Sequence, residues 1–324
     1  MRYPSEEDTV LPGGFEPMRL PVAGKYTEWL RYADCKHDLI LSAFAYLDEK
    51  GVRRGIHWPF EENHHNGWTI SGWNLHHPQF QCRNADGRPW AGRCSLAFPE
   101  VVEHKLRLLD ELIERGTDTV LMDTHRTGTW EVRDEFVAPV MEKWRKIAGE
   151  ESPKPTDPRF VAIVAENNTA YFRKVKERLC RGGRKGRLYL GMDRFSMKYD
   201  RTYETFGIEW KKLAAEGTVD GLFLQSAVLS EGADVWAELE KTYRYVYENR
   251  GQAKVYFPVM QYSWLGHNGY PWYAKQCGIS ELEAVKKLLA LAEKCGGAGI
   301  FMECVDWYNY KDEIRKAIRE FASP

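Results

Sequence analysis

Three carboxylates stand directly after apolar runs in this chain. They are Asp123 in Leu121-Met122-Asp123-Thr124-His125-Arg126, Asp193 in Leu190-Gly191-Met192-Asp193-Arg194-Phe195, and Glu303 in Phe301-Met302-Glu303-Cys304-Val305-Asp306-Trp307. A carboxyl group at the end of an apolar strand is partly withdrawn from water, which disfavours its charged form and suits it to donate a proton. Arg126 and Arg194 follow two of them and would favour the ionised form or bind a substrate oxygen. Two carboxylates flanking one glycosidic bond are the minimum apparatus for hydrolysing it, with a separation of roughly 5–5.5 Å for retention and roughly 6.5–9.5 Å for inversion. The catalytic candidates are therefore Glu303 with one of Asp123 or Asp193. The plainer alternative is that each caps a loop or pairs structurally with an arginine.

Aromatic residues gather near the same positions. The chain holds 12 Trp, 17 Tyr and 14 Phe, more tryptophan than a core of this size needs. Trp130, Trp264, Trp272, Trp307, Tyr262 and Tyr308 follow the ends of apolar runs. Flat rings with polar edges match sugar rings, which have an apolar face and a hydroxylated rim. Gln225 and Gln261, with His57, His125, Arg126 and Arg194, are the polar side chains expected to orient hydroxyl groups. Trp58, Tyr262, Trp264 and Trp307 are the expected ring contacts. Trp144, Trp210 and Trp236 lie in helical patterns and are assigned to packing.

Other chemistries find less support. His64-His65 and His76-His77 raise a metal-dependent barrel hydrolase as a competitor, but adjacent residues on a strand point to opposite faces and no H-E-x-x-H is present. The expectation is no metal and no cofactor. There is no G-x-S-x-G nucleophile elbow, and the seven cysteines contain no C-x-x-C pair. Free thiols in a reducing compartment are the reading for them.

The elements that must carry these residues alternate. Apolar runs at 39–46, 119–123, 187–192, 219–224, 254–260 and 299–302 read as buried strands. A helix opens at Pro99 with Val102, Leu106, Leu109, Leu112 and Ile113 on one face, and Gly116 closes it. Further amphipathic stretches cover about 132–148, 160–180, 232–248, 281–294 and 311–321. Near-continuous apolar strands alternating with helices indicate a parallel sheet covered on both faces. Polar residues at the strand ends match a (β/α)8 barrel of the TIM type, whose sites lie where the strands end. An open doubly wound sheet is the alternative, but no G-x-G-x-x-G or phosphate-binding loop follows any strand. The segment 49–95 breaks the rhythm, is rich in Trp and His, and is expected to be a long inserted binding loop.

Composition narrows the partners. Forty-six basic and 47 acidic side chains give a net charge of −1, so neither nucleic acid nor an anionic membrane surface is expected. No apolar run reaches the roughly 20 residues of a membrane span. Residues 1–8 have no signal-peptide pattern, which gives a cytoplasmic location as the expectation.

Ser95-Leu96-Ala97-Phe98-Pro99-Glu100-Val101, followed by a helix and then Asp118-Thr119-Val120-Leu121-Met122-Asp123-Thr124-His125-Arg126, resembles the glycoside hydrolase family 10-like barrel proteins. In that family an S-x-A-x-P-E-V helix start precedes a strand of the type D-G-I-x-x-D-x-x-R. Arg83-Asn84-Ala85-Asp86-Gly87-Arg88 resembles the family's D-x-D-G-R turn, and Gly297–Glu303 resembles a late strand. The resemblance implies a (β/α)8 barrel acting on glycans. Thr119 departs from the usual glycine, and Met1–Gly24 offers no apolar run for a first strand. With that strand missing, 187–192 and 299–303 become the fourth and seventh. The resemblance then implies Asp193 as acid/base and Glu303 as nucleophile. The usual acid/base is Glu after Asn, whereas this chain has Met192-Asp193, so Asp123 stays open as the acid or as a substrate-orienting group.

The expectation is a single catalytic barrel domain over 1–324, incomplete or irregular at its N-terminus, hydrolysing an oligo- or polysaccharide through two carboxylates. A glycan-binding barrel without hydrolysis and a metal-dependent hydrolase are the alternatives. The gap in the barrel wall calls for an irregular strand within Met1–Gly24 or for closure by a partner chain, a homo-oligomer.

Overall fold

The computed structural model describes residues 39–59, 72–124, 132–192, 200–225, 227, 229, 234–261, 269–302 and 310–322. They fall into two compact units, Met1–Leu188 with Phe206–Ile208, and Tyr189–Thr205 with Glu209–Pro324.

Among the described residues of the first unit, the helix Leu39–Glu49 comes first, followed by strand β1 (Gly55–Pro59). This corrects the strand expected at 39–46. A short apolar run does not distinguish a strand from a buried helix. Here Ile40 and Phe44, four residues apart, turn to one side and pack with Leu112, and Leu47, Ile56 and Trp58 pack against them. The first parallel strand is instead β1, which sequence reading placed inside a loop because Ile56 is its sole aliphatic residue. The segment 49–95 also holds the helix Gly72–His76 and an antiparallel hairpin, β2 (Gln81–Arg83) with β3 (Pro89–Cys94). Among its described residues it is therefore largely ordered structure rather than loop. The hairpin turn is built by Asn84, whose side-chain oxygen accepts the N–H groups of Asp86 (3.1 Å) and Arg88 (2.9 Å). Gly87 takes the left-handed conformation (φ 76°) that the turn requires.

The helix Pro99–Glu114 starts at a proline, as expected, and buries Val101, Val102, Leu106, Leu109 and Leu112. It closes at Gly116, with Thr117 N–H bonded to Leu112 O at 3.0 Å. Strand β4 (Thr119–Asp123) then pairs in parallel with β1, from Gly55↔Thr119 to Pro59↔Asp123. The helices Ala138–Ala148 and Pro158–Cys180 follow, the second capped by Asp157. Asn168 Nδ2 on this helix donates to Phe206 O (2.9 Å) and Gly207 O (3.2 Å), which holds the short segment 206–208 in the first unit. Strand β5 (Arg187–Met192) begins in this unit, where Arg187 N–H bonds to Asp118 O at 2.8 Å just ahead of β4.

In the second unit β5 continues as a parallel partner of β6 (Gly221–Leu224), then β7 (Lys254–Pro258) and β8 (Gly299–Phe301). All four were legible as apolar runs. Alternation sorts their side chains. Leu190, Leu222, Val255 and Phe257 point one way, and Phe257 stacks on Tyr243 of the helix Val235–Glu248 at 4.0 Å between centroids. Tyr189, Phe223, Tyr256 and Phe301 point the other way and touch ring to ring, with Phe223 stacked on Tyr256 at 4.5 Å. Gly221 is required there, because a Cβ would lie 2.6 Å from the Tyr189 ring. The helices Glu281–Lys294 and Asp312–Ala322 fall where the apolar spacing placed them. Residues 1–38, where an irregular first strand was expected, lie outside the described residues.

Candidate functional site

The register of β1 against β4 decides what can meet at their ends. His57 pairs with Leu121 and Pro59 with Asp123, so His57, Leu121 and Asp123 share one face of the sheet. The diagonal places His57 Nε2 2.5 Å from Asp123 Oδ2. Asp123, the last residue of β4, is 1% exposed, whereas the His57 side chain is 46% exposed. The carboxylate thus sits behind the imidazole. With Asp123 ionised it only accepts, so Nε2–H is the donor and Nδ1 is the ring's remaining hydrogen-bonding atom. A charged acceptor makes this bond stronger than a neutral pair and fixes both ring orientation and tautomer. Such a pair can hold a proton and pass it outward, or present an oriented imidazole to a hydroxyl group.

The other described candidates are placed individually. Trp58 lies on the opposite face of β1 from His57 and packs against Ile40, Phe44 and Leu112, which gives it a core role. Gln225 directly follows β6; its side chain is buried, and its N–H bonds to Met192 O at 3.0 Å. Gln261 is half-buried and follows Val259 and Met260, whose backbones are tied to Phe301 (2.9 Å) and Tyr270 (2.8 Å). Asp193, Glu303, His125, Arg126, Arg194, Tyr262, Trp264 and Trp307 lie outside the described residues. Among the described residues no three His, Cys, Asp or Glu side chains gather as a metal-ligating group.

A second polar cluster had no signature in the sequence. Glu135, 4% exposed, accepts Ser95 Oγ–H at 2.5 Å through one oxygen and Cys82 Sγ–H at 3.3 Å through the other. Its neighbour Asp134, 2% exposed, accepts the Trp90 indole N–H at 2.8 Å. On the other side of the hairpin, Cys94 Sγ–H donates to Asn74 Oδ1 at 3.3 Å. Burial, and then the charge of Glu135, push the Cys82 thiol well above its ordinary range, so it is no nucleophile. These contacts, with Phe136 N–H to Arg83 O at 2.9 Å, fasten the β2–β3 hairpin to the chain that returns after β4. Residues 82, 95 and 135 meet only through the fold, and no spacing announces it.

No protein-family model matches the chain, and comparison with curated protein sequences finds no match. Solved structures do resemble it. A beta-galactosidase from the psychrophilic Marinomonas ef1 superposes with a TM-score of 0.56 at 9% identity, covering 87% of this chain and 51% of its own. Alpha-L-fucosidase isoenzyme 2 from Paenibacillus thiaminolyticus gives 0.55 at 14% identity, covering 89% and 40%. A chitinase from Chromobacterium violaceum ATCC 12472 gives 0.50 at 11% identity, covering 88% and 84%. The fold is of the (β/α)8 barrel class. Six parallel strands of it are present among the described residues. The chain spans about half or less of the galactosidase and the fucosidase. No helix among the described residues is long and apolar enough to cross a membrane.

Proposed function

We propose that this protein is a glycoside hydrolase acting on an oligo- or polysaccharide. The observation that carries the reading is the buried carboxylate of Asp123 at a strand end, bonded at 2.5 Å to the half-exposed imidazole of His57. The chitinase, fucosidase and galactosidase of similar fold support it. The motif around 95–126 supports the finer assignment to a family 10-like barrel.

In this reading two carboxylates act on one bond: one protonates the leaving oxygen, and the other attacks the sugar or activates water. Glu303 is one of them. Asp123, covered by its own surroundings and facing His57, suits a positioning role, which leaves Asp193 for the acid/base role beside Glu303. His57 then donates to or accepts from a sugar hydroxyl. Arg126, His125, Arg194, Gln225, Gln261, Tyr262, Trp264 and Trp307 complete the proposed sugar contacts. A cytoplasmic location belongs to the same reading and is supported by the free thiols of Cys82, Cys94, Cys180, Cys277 and Cys295.

The test is release of reducing ends from a panel of purified polysaccharides and oligosaccharides by the full chain, with Glu303→Gln and Asp193→Asn alongside. Hydrolysis by the wild type, lost in Glu303→Gln and in Asp193→Asn, is expected. Retention of full activity by Glu303→Gln overturns the two-carboxylate assignment. Glycan binding without any cleavage replaces hydrolysis with recognition.

A further inference from the structure

We propose that Trp90, on the β2–β3 hairpin, is a platform for a sugar ring and forms a glycan subsite of its own. The inference rests on the glycan reading above and deepens it.

Three observations converge on this residue. Its indole N–H donates to Asp134 Oδ1 at 2.8 Å, and Asp134 is 2% exposed, so water does not compete for that acceptor. The Arg93 guanidinium lies over the ring at 5.9 Å from the centroid, and Arg93 is 6% exposed, so a buried cation stands on one side of the ring. Yet Trp90 as a whole is half-buried, unlike the packing residues Trp144 and Trp210, each at 1% exposure. The N–H edge is engaged and the guanidinium lies over one face, so the platform proposed is the opposite face.

An indole face held in one orientation suits the C–H face of a pyranose, which meets the electron-rich ring without needing a hydrogen bond from it. The support beneath it is rigid. The hairpin turn is closed by Asn84, and its base is clamped by Ser95 and Cys82 on Glu135 and by Phe136 on Arg83. A platform ordered before binding loses little entropy when a sugar arrives. Two of the clamping residues, Glu135 and Phe136, follow β4, the strand that ends in Asp123.

The test uses the full chain and two variants that differ in ring character. Trp90→Leu keeps apolar bulk without a π face, and Trp90→Phe keeps a flat ring. Wild type and variants, matched for circular dichroism and melting temperature, are applied to an array of chito-, cello- and galacto-oligosaccharides. The best-retained oligosaccharide is then titrated in solution. Trp90→Leu is expected to weaken binding about tenfold and Trp90→Phe by about threefold or less. Equal binding by all three proteins overturns the platform and leaves the glycan reading standing. No binding by the wild type to any arrayed glycan, with a lectin control positive, removes the glycan reading and the platform together.

Discussion

His57 Nε2 and Asp123 Oδ2 stand 2.5 Å apart across two adjacent parallel strands whose register pairs Pro59, not His57, with Asp123. The contact is a diagonal between residues on one sheet face. It is set by how β1 aligns on β4, and a shift of one residue would turn His57 to the other face. The polar pair and the apolar packing of Ile56 and Trp58 are thus two consequences of a single register.

If Asp123 orients His57, Asp123→Asn keeps the shape but loses the charged acceptor. Under the proposed glycoside hydrolase function, hydrolysis should fall by about 10²-fold, the lower end for a positioned proton-handling group. His57→Gln should fall similarly, and the double variant no further than either single one. Steady-state rates on one substrate decide this. Independent, multiplying losses would show that the two side chains do not work as a unit.

Phe44 is 5% exposed beside Ile40 and Leu112. Phe44→Ala should cost about 3 kcal/mol, the lower end for an aromatic removed from a core. Trp58→Ala, at a partly buried position, should cost about 2 kcal/mol by the same mechanism. Urea denaturation followed by fluorescence and circular dichroism measures both. Glycan binding by folded Trp58→Phe should match the wild type, because the ring serves packing.

Glu135 is held by donors on two segments of the hairpin region. Glu135→Ala strands the Ser95 hydroxyl in a buried site and should cost about 2–3 kcal/mol. Glu135→Gln keeps an acceptor and should cost less than half as much. Equal losses in denaturation would mean that the clamp acts through volume and not through hydrogen bonds.

Burial and the nearby Glu135 charge raise the Cys82 thiol well above its ordinary range, so the reactive thiolate is absent near neutral pH. In the native protein, maleimide labelling read by peptide mass spectrometry should leave Cys82 unmodified while partly exposed Cys180 and Cys277 react. Unfolding in guanidinium should make all three equal. Native labelling of Cys82 at the rate of Cys180 would contradict its placement.

Asp157 caps the helix Pro158–Cys180. The Arg159 side chain, and then its backbone N–H, bring the Asp157 carboxyl down from its ordinary 3.8 to about 2. The folded form therefore holds its proton less tightly than the unfolded form. The stabilisation is whole above pH 3.8, shrinks as pH falls from there, and is gone below about 2. The melting temperature of Asp157→Asn should lie below that of the wild type by a constant margin near neutral pH. That margin should narrow when both are scanned toward the acid end.

From Pro99 onward the strands and the longer helices were readable because each carries its own local signal, whereas the short helices Arg201–Glu204 and Tyr270–Cys277 were not. Pro99 and Gly116 bound a helix with its apolar face in between, and the runs at β4 to β8 are long and apolar enough to need burial on both sides. Before Pro99 those signals conflict. Leu39–Tyr46 is almost wholly apolar, so periodicity does not choose helix over strand, while the strand Gly55–Pro59 is short and has Gly and Pro at its ends. Pairing with β4 overrides the weak propensity of β1, as context does for strands in general.

The sequence by itself determined that Asp123 ends an apolar strand, that strands and helices alternate as in a barrel, and that the chain is rich in tryptophan. Those are local or compositional properties, carried by neighbours in the chain. Tertiary structure alone decided that His57 is the partner of Asp123, that Trp58 packs while Trp90 stays half-open, and that Glu135 binds Ser95 and Cys82. Each depends on strand register or on docking between segments far apart in the chain. Those alignments are fixed by the joint burial of many side chains, which no single stretch of sequence encodes.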